Sequence, residues 1–350
     1  MLSPFRYGDK VYFTATVPAK RGSGKVSRIF STLHDEPAQM FPLNPKEDGI
    51  HAAHASLNST ADRMYYTVFK EGQQVNNTQS EIWYRDKKYD GTWGNIVMLP
   101  RHVNLQGTVN TQPACGYDLL MKKDLLFFAS NRPGGRGGFD IWYCTVERDG
   151  SFSPPFNLPF NTTDDEVTPH FFNQGQALFF SSKMPGGMGG LDIYHAEKNA
   201  AGIWQSPENL GTANTAFDEL YFSYHQPSQT SYFCSNRPND NCQNAPTGCP
   251  DFFVFTAILG GSLQVSIGSS FDSTPLYGCN IELMDASTGL IEMSILQSEV
   301  SSLQLPLLPE KKYRLIVSHV GFYPIFLDLE PGSTDFFRPL KKEVYLRPMR

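Results

Sequence analysis

The chain has 350 residues, of which 40% are hydrophobic and only 18% charged, with 29 Gly, 25 Pro, 26 Phe, 16 Tyr and 4 Trp. That balance fits many short strands joined by tight turns and excludes a helical protein, which would need long Ala, Leu, Glu and Lys stretches at a helical period. A net charge of −6 argues against a nucleic-acid partner, and no apolar run reaches the roughly 18 residues of a membrane-spanning helix.

The N-terminal segment MLSPFRYGDKVYF lacks a basic stretch followed by an apolar core, so it does not read as a signal peptide. A short aromatic strand then recurs along the chain as VYFTA (11–15), MYYTV (64–68), LFFAS (126–130), LFFSS (178–182) and SYFCS (231–235). Phe13, Tyr66, Phe128, Phe180 and Phe233 are equivalent, at intervals of just over fifty to just over sixty residues. That period suits a four-stranded propeller blade. A further strand follows each: SRIFS (27–31), EIWYR (81–85), FDIWY (139–143), LDIYH (191–195) and DFFVF (251–255). Turns at Asp90-Gly91, Asp149-Gly150 and Ala201-Gly202 precede Trp93, Phe152 and Trp204, and the unit closes on SPPFNLP or SPENLG. NTTDDE and NTAFDE open the next unit.

Central blade strands are covered on both faces, so they read as continuous apolar runs. Glycines 134, 135, 137 and 138, with 186, 187, 189 and 190, are expected to supply the positive φ of a sharp inter-strand loop. A phosphate-binding loop would need a Lys-Ser/Thr and a following helix, which this sequence lacks. Five units are visible, the first beginning at its innermost strand near LSPFRY. The last lacks a Pro-Asn-Leu strand, so closure is expected to use a strand, or a sixth blade, from residues before Met1.

Among six cysteines, Cys242 and Cys249 lie in NDNCQNAPTGCPD, where a disulfide would staple the insertion and imply an oxidising compartment. Zinc would need two more ligands nearby. Cys144 and Cys234 fall within strands as small buried hydrophobes. From Gly261 the repeat stops and alternating strands follow (SLQVSIG, CNIELMDA, KYRLIVSHVGFY, KKEVYLRP), which reads as a small β-sandwich. The expected organisation is all-β: a propeller over 1–258, N-terminally incomplete and part of a six-bladed ring, followed by a β-sandwich over 259–350.

SNRPGGRGGFDIW and SSKMPGGMGGLDIY closely resemble the WD40-like PD40 repeat related to the TolB propeller, and SNRPNDN…DFFVF resembles a diverged copy. LQVSI, PLYGCNIELMDASTG and LPEKKYRLIVSHVGFY resemble a carboxypeptidase regulatory-like domain, departing where SEVSSLQL replaces an Asp-Gly-x-Phe turn. That order resembles cell-envelope proteins of the OmpA family, including type IX secretion and gliding components. The resemblance implies a periplasmic, outer-membrane-associated scaffold with envelope protein partners. It also implies peptidoglycan contact through a domain absent from this chain.

Chemistry is weighed against scaffold residue by residue. The Asp-Gly-x-Trp and Asp-Gly-Ser-Phe turns resemble a sialidase Asp-box, itself a structural hairpin. Asp164-Asp165-Glu166 and Asp218-Glu219 recur once per unit, which points to a turn role. His51 and His54 lie three apart, not at the alternate positions of a strand metal pair. The repeated sets Asn131/Arg132/Asp140, Ser182/Lys183/Asp192 and Asn236/Arg237/Asp251 either pair within their own loop or line a binding rim. The expectation is a non-enzymatic scaffold without cofactor or metal; the alternative is a secreted glycan-binding or glycan-active propeller.

Overall fold

The recurring aromatic segments become the second strand of five antiparallel sheets. The computed structural model describes residues 2–19, 24–33, 36–42, 49–70, 80–172, 176–199, 201–225, 230–237, 251–255, 262–297, 302–307, 311–329 and 340–349. Blade 1 comprises β1 (Leu2–Tyr7), β2 (Lys10–Pro18), β3 (Lys25–Leu33) and β4 (Gln39–Met40). Blade 2 comprises β5 (Ile50–Leu57), β6 (Arg63–Lys70), β7 (Ser80–Asp86) and β8 (Val97–Met98). Blade 3 comprises β9 (Asn110–Asp118), β10 (Lys123–Ser130), β11 (Asp140–Val146) and β12 (Phe156–Asn157). Blade 4 comprises β13 (Glu166–Phe172), β14 (Ala177–Ser182), β15 (Asp192–Glu197) and β16 (Glu208–Asn209). Blade 5 has three strands among the described residues: β17 (Glu219–His225), β18 (Thr230–Ser235) and β19 (Asp251–Phe255).

Neighbouring residues of one strand serve opposite neighbours. Phe128 packs with Tyr65 and Ile82 of blade 2, whereas Phe127 packs with Phe171 and Phe180 of blade 4. Tyr66 likewise faces Tyr12 and Ile29 of blade 1, while Tyr65 faces blade 3. A strand clamped between two blades has no solvent face, which is why these segments are apolar at consecutive positions. The turn aromatics wedge between blades in the same sense: Trp93 stands edge-on to Phe41 of blade 1, and Phe152 to Tyr65 of blade 2.

The glycine clusters work mainly by close approach. Gly134 and Gly186 do take positive φ, +92° and +96°. The φ values of Gly135, Gly137 and Gly138 lie outside that region, and a Cβ on any of them would collide with Asp140, the Asp164 carbonyl or Asp165. The loop wraps around Asp140, which accepts the N–H groups of Arg136 (2.6 Å) and Gly137 (2.9 Å). It is also tied to the next blade, since Asp165 accepts Phe139 N–H (2.8 Å) and Glu166 N–H donates to the Phe139 carbonyl (2.7 Å). Asp218, Leu191 and Glu219 repeat the latch between blades 4 and 5 at 2.8 and 2.6 Å. The loud sequence motif is half of an inter-blade clasp whose other half is NTxxDE.

Closure differs from the sequence expectation. β1 packs directly beside β17, and Ser223 Oγ donates to the Pro4 carbonyl at 2.6 Å. Five blades thus complete a ring, so the expected sixth blade has no gap to fill.

The chain divides into two compact units, Met1–Thr256 and Ala257–Arg350, against the expected division at 258. The second is a β-sandwich. In one sheet β20 (Ser262–Ser269) lies between β23 (Ser302–Pro306) and β26 (Leu340–Leu346), running parallel to β26. The other has the order β22 (Ile291–Leu296), β21 (Asn280–Asp285), β24 (Tyr313–Ser318), β25 (Ile325–Leu329). Alternate residues such as Val265, Ile267, Ile281, Leu283, Leu315 and Val317 point inward and make the core, the period-2 pattern of sheets covered on one face.

The clasp makes a testable difference between glycines. Gly137→Ala should destabilise the protein by about 1–3 kcal/mol through overpacking against backbone. Gly24→Ala, where the added methyl meets open space, should stay within about 0.5 kcal/mol. Urea unfolding of both variants measures the contrast.

Candidate functional site

Of the residues singled out by the repeat, Arg132, Asp140, Ser182 and Asp192 are buried at the clasps. Arg132 is buried and does not pair with Asp140, as one sequence reading expected. Its guanidinium donates to the His102 carbonyl (3.2 Å), the Val103 carbonyl, Asn110 Oδ1 (2.7 Å) and Ser130 Oγ (3.2 Å). It also lies over the Phe128 and Trp142 rings. Burial pulls its pKa down to about 10, which still leaves it charged at neutral pH.

Arg237 repeats the arrangement, donating to Glu219 Oε1 (2.9 Å), the Ala213 carbonyl (2.9 Å) and Ser235 Oγ (3.2 Å). Ser182 Oγ donates to Glu166 (2.9 Å), as Ser130 and Ser235 do to Asn110 and Glu219. The position matching Arg132 in blade 4 is the buried Met184, whose N–H meets Ser182 as that of Arg132 meets Ser130. Lys183 therefore aligns with Asn131, and both are exposed. The expected equivalence of Lys183 with Arg132 was out of register by one residue. Asn131 accepts Val109 N–H, Asn236 bonds with Asp218, and Asp192 accepts Met188 N–H. Asp251 lies in β19 with its side chain outside the described residues, as are Cys242 and Cys249. The four cysteines described, Cys115, Cys144, Cys234 and Cys279, are buried thiols outside any disulfide.

The concave site lies elsewhere, along the five innermost strands. Each of these strands contains one non-glycine residue in the left-handed region: Ser3 (φ 48°), His54 (53°), Gln112 (54°), Thr168 (52°) and Tyr221 (58°). All five line one cavity of about 720 Å³. The pairing slips at the same place in blades 1, 2, 4 and 5, between Leu2 and Phe5, Ala53 and Ser56, Val167 and His170, and Leu220 and Ser223. Blade 3 slips at the same place, between Thr111 and Ala114 of its inner strand, opposite Ala129 and Phe127. A bulge of this kind re-aims a side chain, here towards the axis.

The N–H groups of His54, Gln112, Thr168 and Tyr221 are each caught by the preceding blade. His54 donates to Thr14 Oγ1 (3.0 Å), Gln112 to Thr67 Oγ1 (3.0 Å) and Tyr221 to Thr168 Oγ1 (3.2 Å). Thr14 and Thr67 follow the repeated aromatics of their strands. The same place in blade 3 is Ala129, which has no hydroxyl, and there the Gln112 side chain substitutes by accepting Thr168 N–H at 2.9 Å.

A hydrogen-bonded plug closes the axis at this level. Gln112 Nε2 donates to Tyr221 Oη (3.2 Å), which lies 3.1 Å from His54 Nε2, and Thr111 Oγ1 lies 3.3 Å from His54 Nδ1. The His54 and Tyr221 rings stack with centroids 5.3 Å apart. These residues belong to blades 2, 3 and 5, and non-adjacent blades can meet only across the axis. Beyond the plug the cavity runs towards the hairpins joining first and second strands, past Phe5, Ser56, Cys115, His170, Phe171, Ser223 and Tyr224 to Arg6, Asp9 and Asn58 at the mouth.

The interior carries little charge. Enclosure by protein lowers the pKa of His54 and of His170 to about 4, although both rings keep an edge facing the cavity. Burial also raises the Tyr221 phenol, so it stays protonated. Asp9 is the one carboxylate among the described lining residues, 4.0 Å from Arg6. The described residues contain no group of three or more His, Cys, Asp or Glu suited to a metal, and no helix among them is long and apolar enough to cross a membrane.

Sequence reasoning gave His54 a structural or surface role and passed over Gln112, Thr168, His170 and Tyr221. A signal was present: Ser3-Pro4, Gln112-Pro113 and Thr168-Pro169 each set a polar residue before a proline inside a strand, where proline marks a bulge.

No protein-family model and no curated protein matches the chain. Solved structures do. An exo-1,5-α-L-arabinanase from a bovine ruminal metagenomic library is 13% identical with a TM-score of 0.47, covering 72% of this chain and 91% of the other. The Bacillus subtilis arabinanase is 10% identical with a TM-score of 0.45, covering 73% and 93%. TolB from Acinetobacter baumannii is 12% identical with a TM-score of 0.42, covering 94% and 63%. The expectation of a non-enzymatic protein is corrected by these matches. Arabinanases, an exo-β-1,3-galactanase and an α-L-arabinofuranosidase are among the similar chains, so an architecture of this kind does not argue against an enzyme. At these scores they transfer no activity, and the PD40, carboxypeptidase regulatory-like and OmpA resemblances gain no family or curated match.

Two outcomes follow from the geometry. Arg132→Ala removes donors from Asn110 Oδ1 and two carbonyls, and should cost about 2–4 kcal/mol in urea unfolding. His170 Nε2 accepts Tyr224 N–H at 3.3 Å and must be unprotonated to do so. Its folded pKa lies below the unfolded value near 6.5, so the unfolded chain binds the extra proton. Stability from this residue is therefore complete above about pH 6.5 and is lost as pH falls towards about 4. The urea midpoint of the wild type should drop through that window more steeply than that of His170→Gln.

Proposed function

We propose that the propeller recognises a neutral, hydroxyl-rich ligand of the saccharide class in its central cavity. One observation carries this reading: the cavity combines an uncharged hydrogen-bonding floor (His54, Gln112, Thr168, Tyr221) with aromatic and apolar walls, at about 720 Å³. That volume lies in the range of small-molecule sites, where a few placed polar groups set orientation and apolar walls supply burial. Sugars present hydroxyls and C–H faces together and so match both kinds of wall. An ionic ligand would find its partners only at the mouth, where Arg6 and Asp9 already face each other.

Glycosidic cleavage uses two flanking carboxyl groups, and the described lining supplies Asp9. Recognition is what the described walls provide, and turnover is scored in the same experiment. The envelope scaffold with protein partners draws on no observation of the folded chain and gives way to this reading. Saccharides of this kind are met outside the cytoplasm, so the proposal carries an extracellular or periplasmic location with it.

A glycan array followed by calorimetry tests the reading, with a hydrolase substrate panel alongside. Binding of a neutral saccharide is expected, weakened about 5- to 30-fold in Tyr221→Phe by loss of a hydrogen bond at the floor. Binding of anionic ligands only, or a Tyr221→Phe variant that binds neutral sugars as the wild type does, would overturn it.

A further inference from the structure

We infer that the cavity recognises the end of a saccharide chain and rejects its interior, an inference that rests on the saccharide reading above. A ring of blades has an open axis unless something fills it. Here the His54–Tyr221–Gln112 plug crosses it, bonded at 3.1 and 3.2 Å between blades that are not neighbours. Among the described residues, none of the inner strands before Ser3, His54, Gln112, Thr168 or Tyr221 lines the cavity, so the space stops at the plug. At the other end it reaches exposed hairpin residues, Asp9 and Ser59 among them.

A blind cavity has one mouth. A linear polymer threading a site needs two openings or a groove along the surface; a terminus needs only one. The groups that would read that terminus are also prepared. His54 and Tyr221 sit in a backbone conformation that costs energy. Their N–H groups are tied to Thr14 and Thr168, so the rings are fixed before any ligand arrives. Rigid placement of polar groups lowers the ordering cost of binding. It also makes the floor demanding, because an unmatched polar group there would be left without a partner.

The test uses the full chain and three neutral polymers (arabinan, galactan and a β-glucan), each intact and after limited acid hydrolysis to known numbers of reducing ends. For a polymer that binds, a tenfold gain in ends should lower the half-saturating mass concentration about tenfold, as mass action on ends requires. Equal binding per gram before and after hydrolysis would overturn chain-end recognition while leaving the saccharide reading in place. Failure of every polymer and fragment to bind would overturn both. The double variant His54→Ala, Tyr221→Ala removes the plug and should bind intact polymer as well per gram as hydrolysed polymer. Should it not fold, the wild-type comparison alone decides.

Discussion

Every blade bends its innermost strand at one residue held in the left-handed region, and the ring depends on what catches that residue's N–H. A strained non-glycine backbone persists only where its surroundings fix it. Here the fixing group is a hydroxyl or amide one blade back: Thr14 for His54, Thr67 for Gln112, Gln112 for Thr168 and Thr168 for Tyr221. One hydrogen bond therefore does two things. It joins neighbouring blades at the axis, and it turns four side chains into the cavity that carries the proposed recognition. Ala129 shows how firm the constraint is, because the missing hydroxyl is replaced by a long side chain reaching from the next strand.

Two to three residues upstream of the left-handed positions the ring is held by a different device. Asp140 and Asp165 collect backbone N–H groups of the glycine-rich loop, and Asp192 and Asp218 do the same one blade on. The buried Arg132 and the half-buried Arg237 bind the strand ends beneath. Backbone approaches this close admit no Cβ, which explains glycine where the torsion alone would not demand it. The most conspicuous residues of the sequence are thus spent on cohesion. The cavity is built from residues with a quieter pattern, a polar residue before a strand proline in three of the blades.

The sandwich and the propeller differ in how much of them could be read. In the sandwich, alternation along LQVSIG and YRLIVS states directly which residues face the core. In the propeller, consecutive aromatics name the second strand of each blade, and the Asp-Gly turns and short Pro-Asn-Leu segments place the strands around it. Closure was misjudged because a missing outer strand in the last unit looks, in sequence, like an incomplete ring. In space, the ring closes through inner strands, β1 against β17, and an outer strand is not needed for that contact.

The sequence by itself determined the all-β class, the five repeats, the strand order within each and the change of pattern near Gly260, because these follow from local periodicity and turn chemistry. It did not pair Arg132 with Asn110 or place Met184 in register with Arg132, since those partners lie on other strands. It could not bring His54, Gln112 and Tyr221 together, because residues from blades 2, 3 and 5 meet only once the ring has closed. The plug, the blind cavity and the neutral interior are therefore properties of the tertiary structure. They arise from enclosure across an axis, which no stretch of sequence contains.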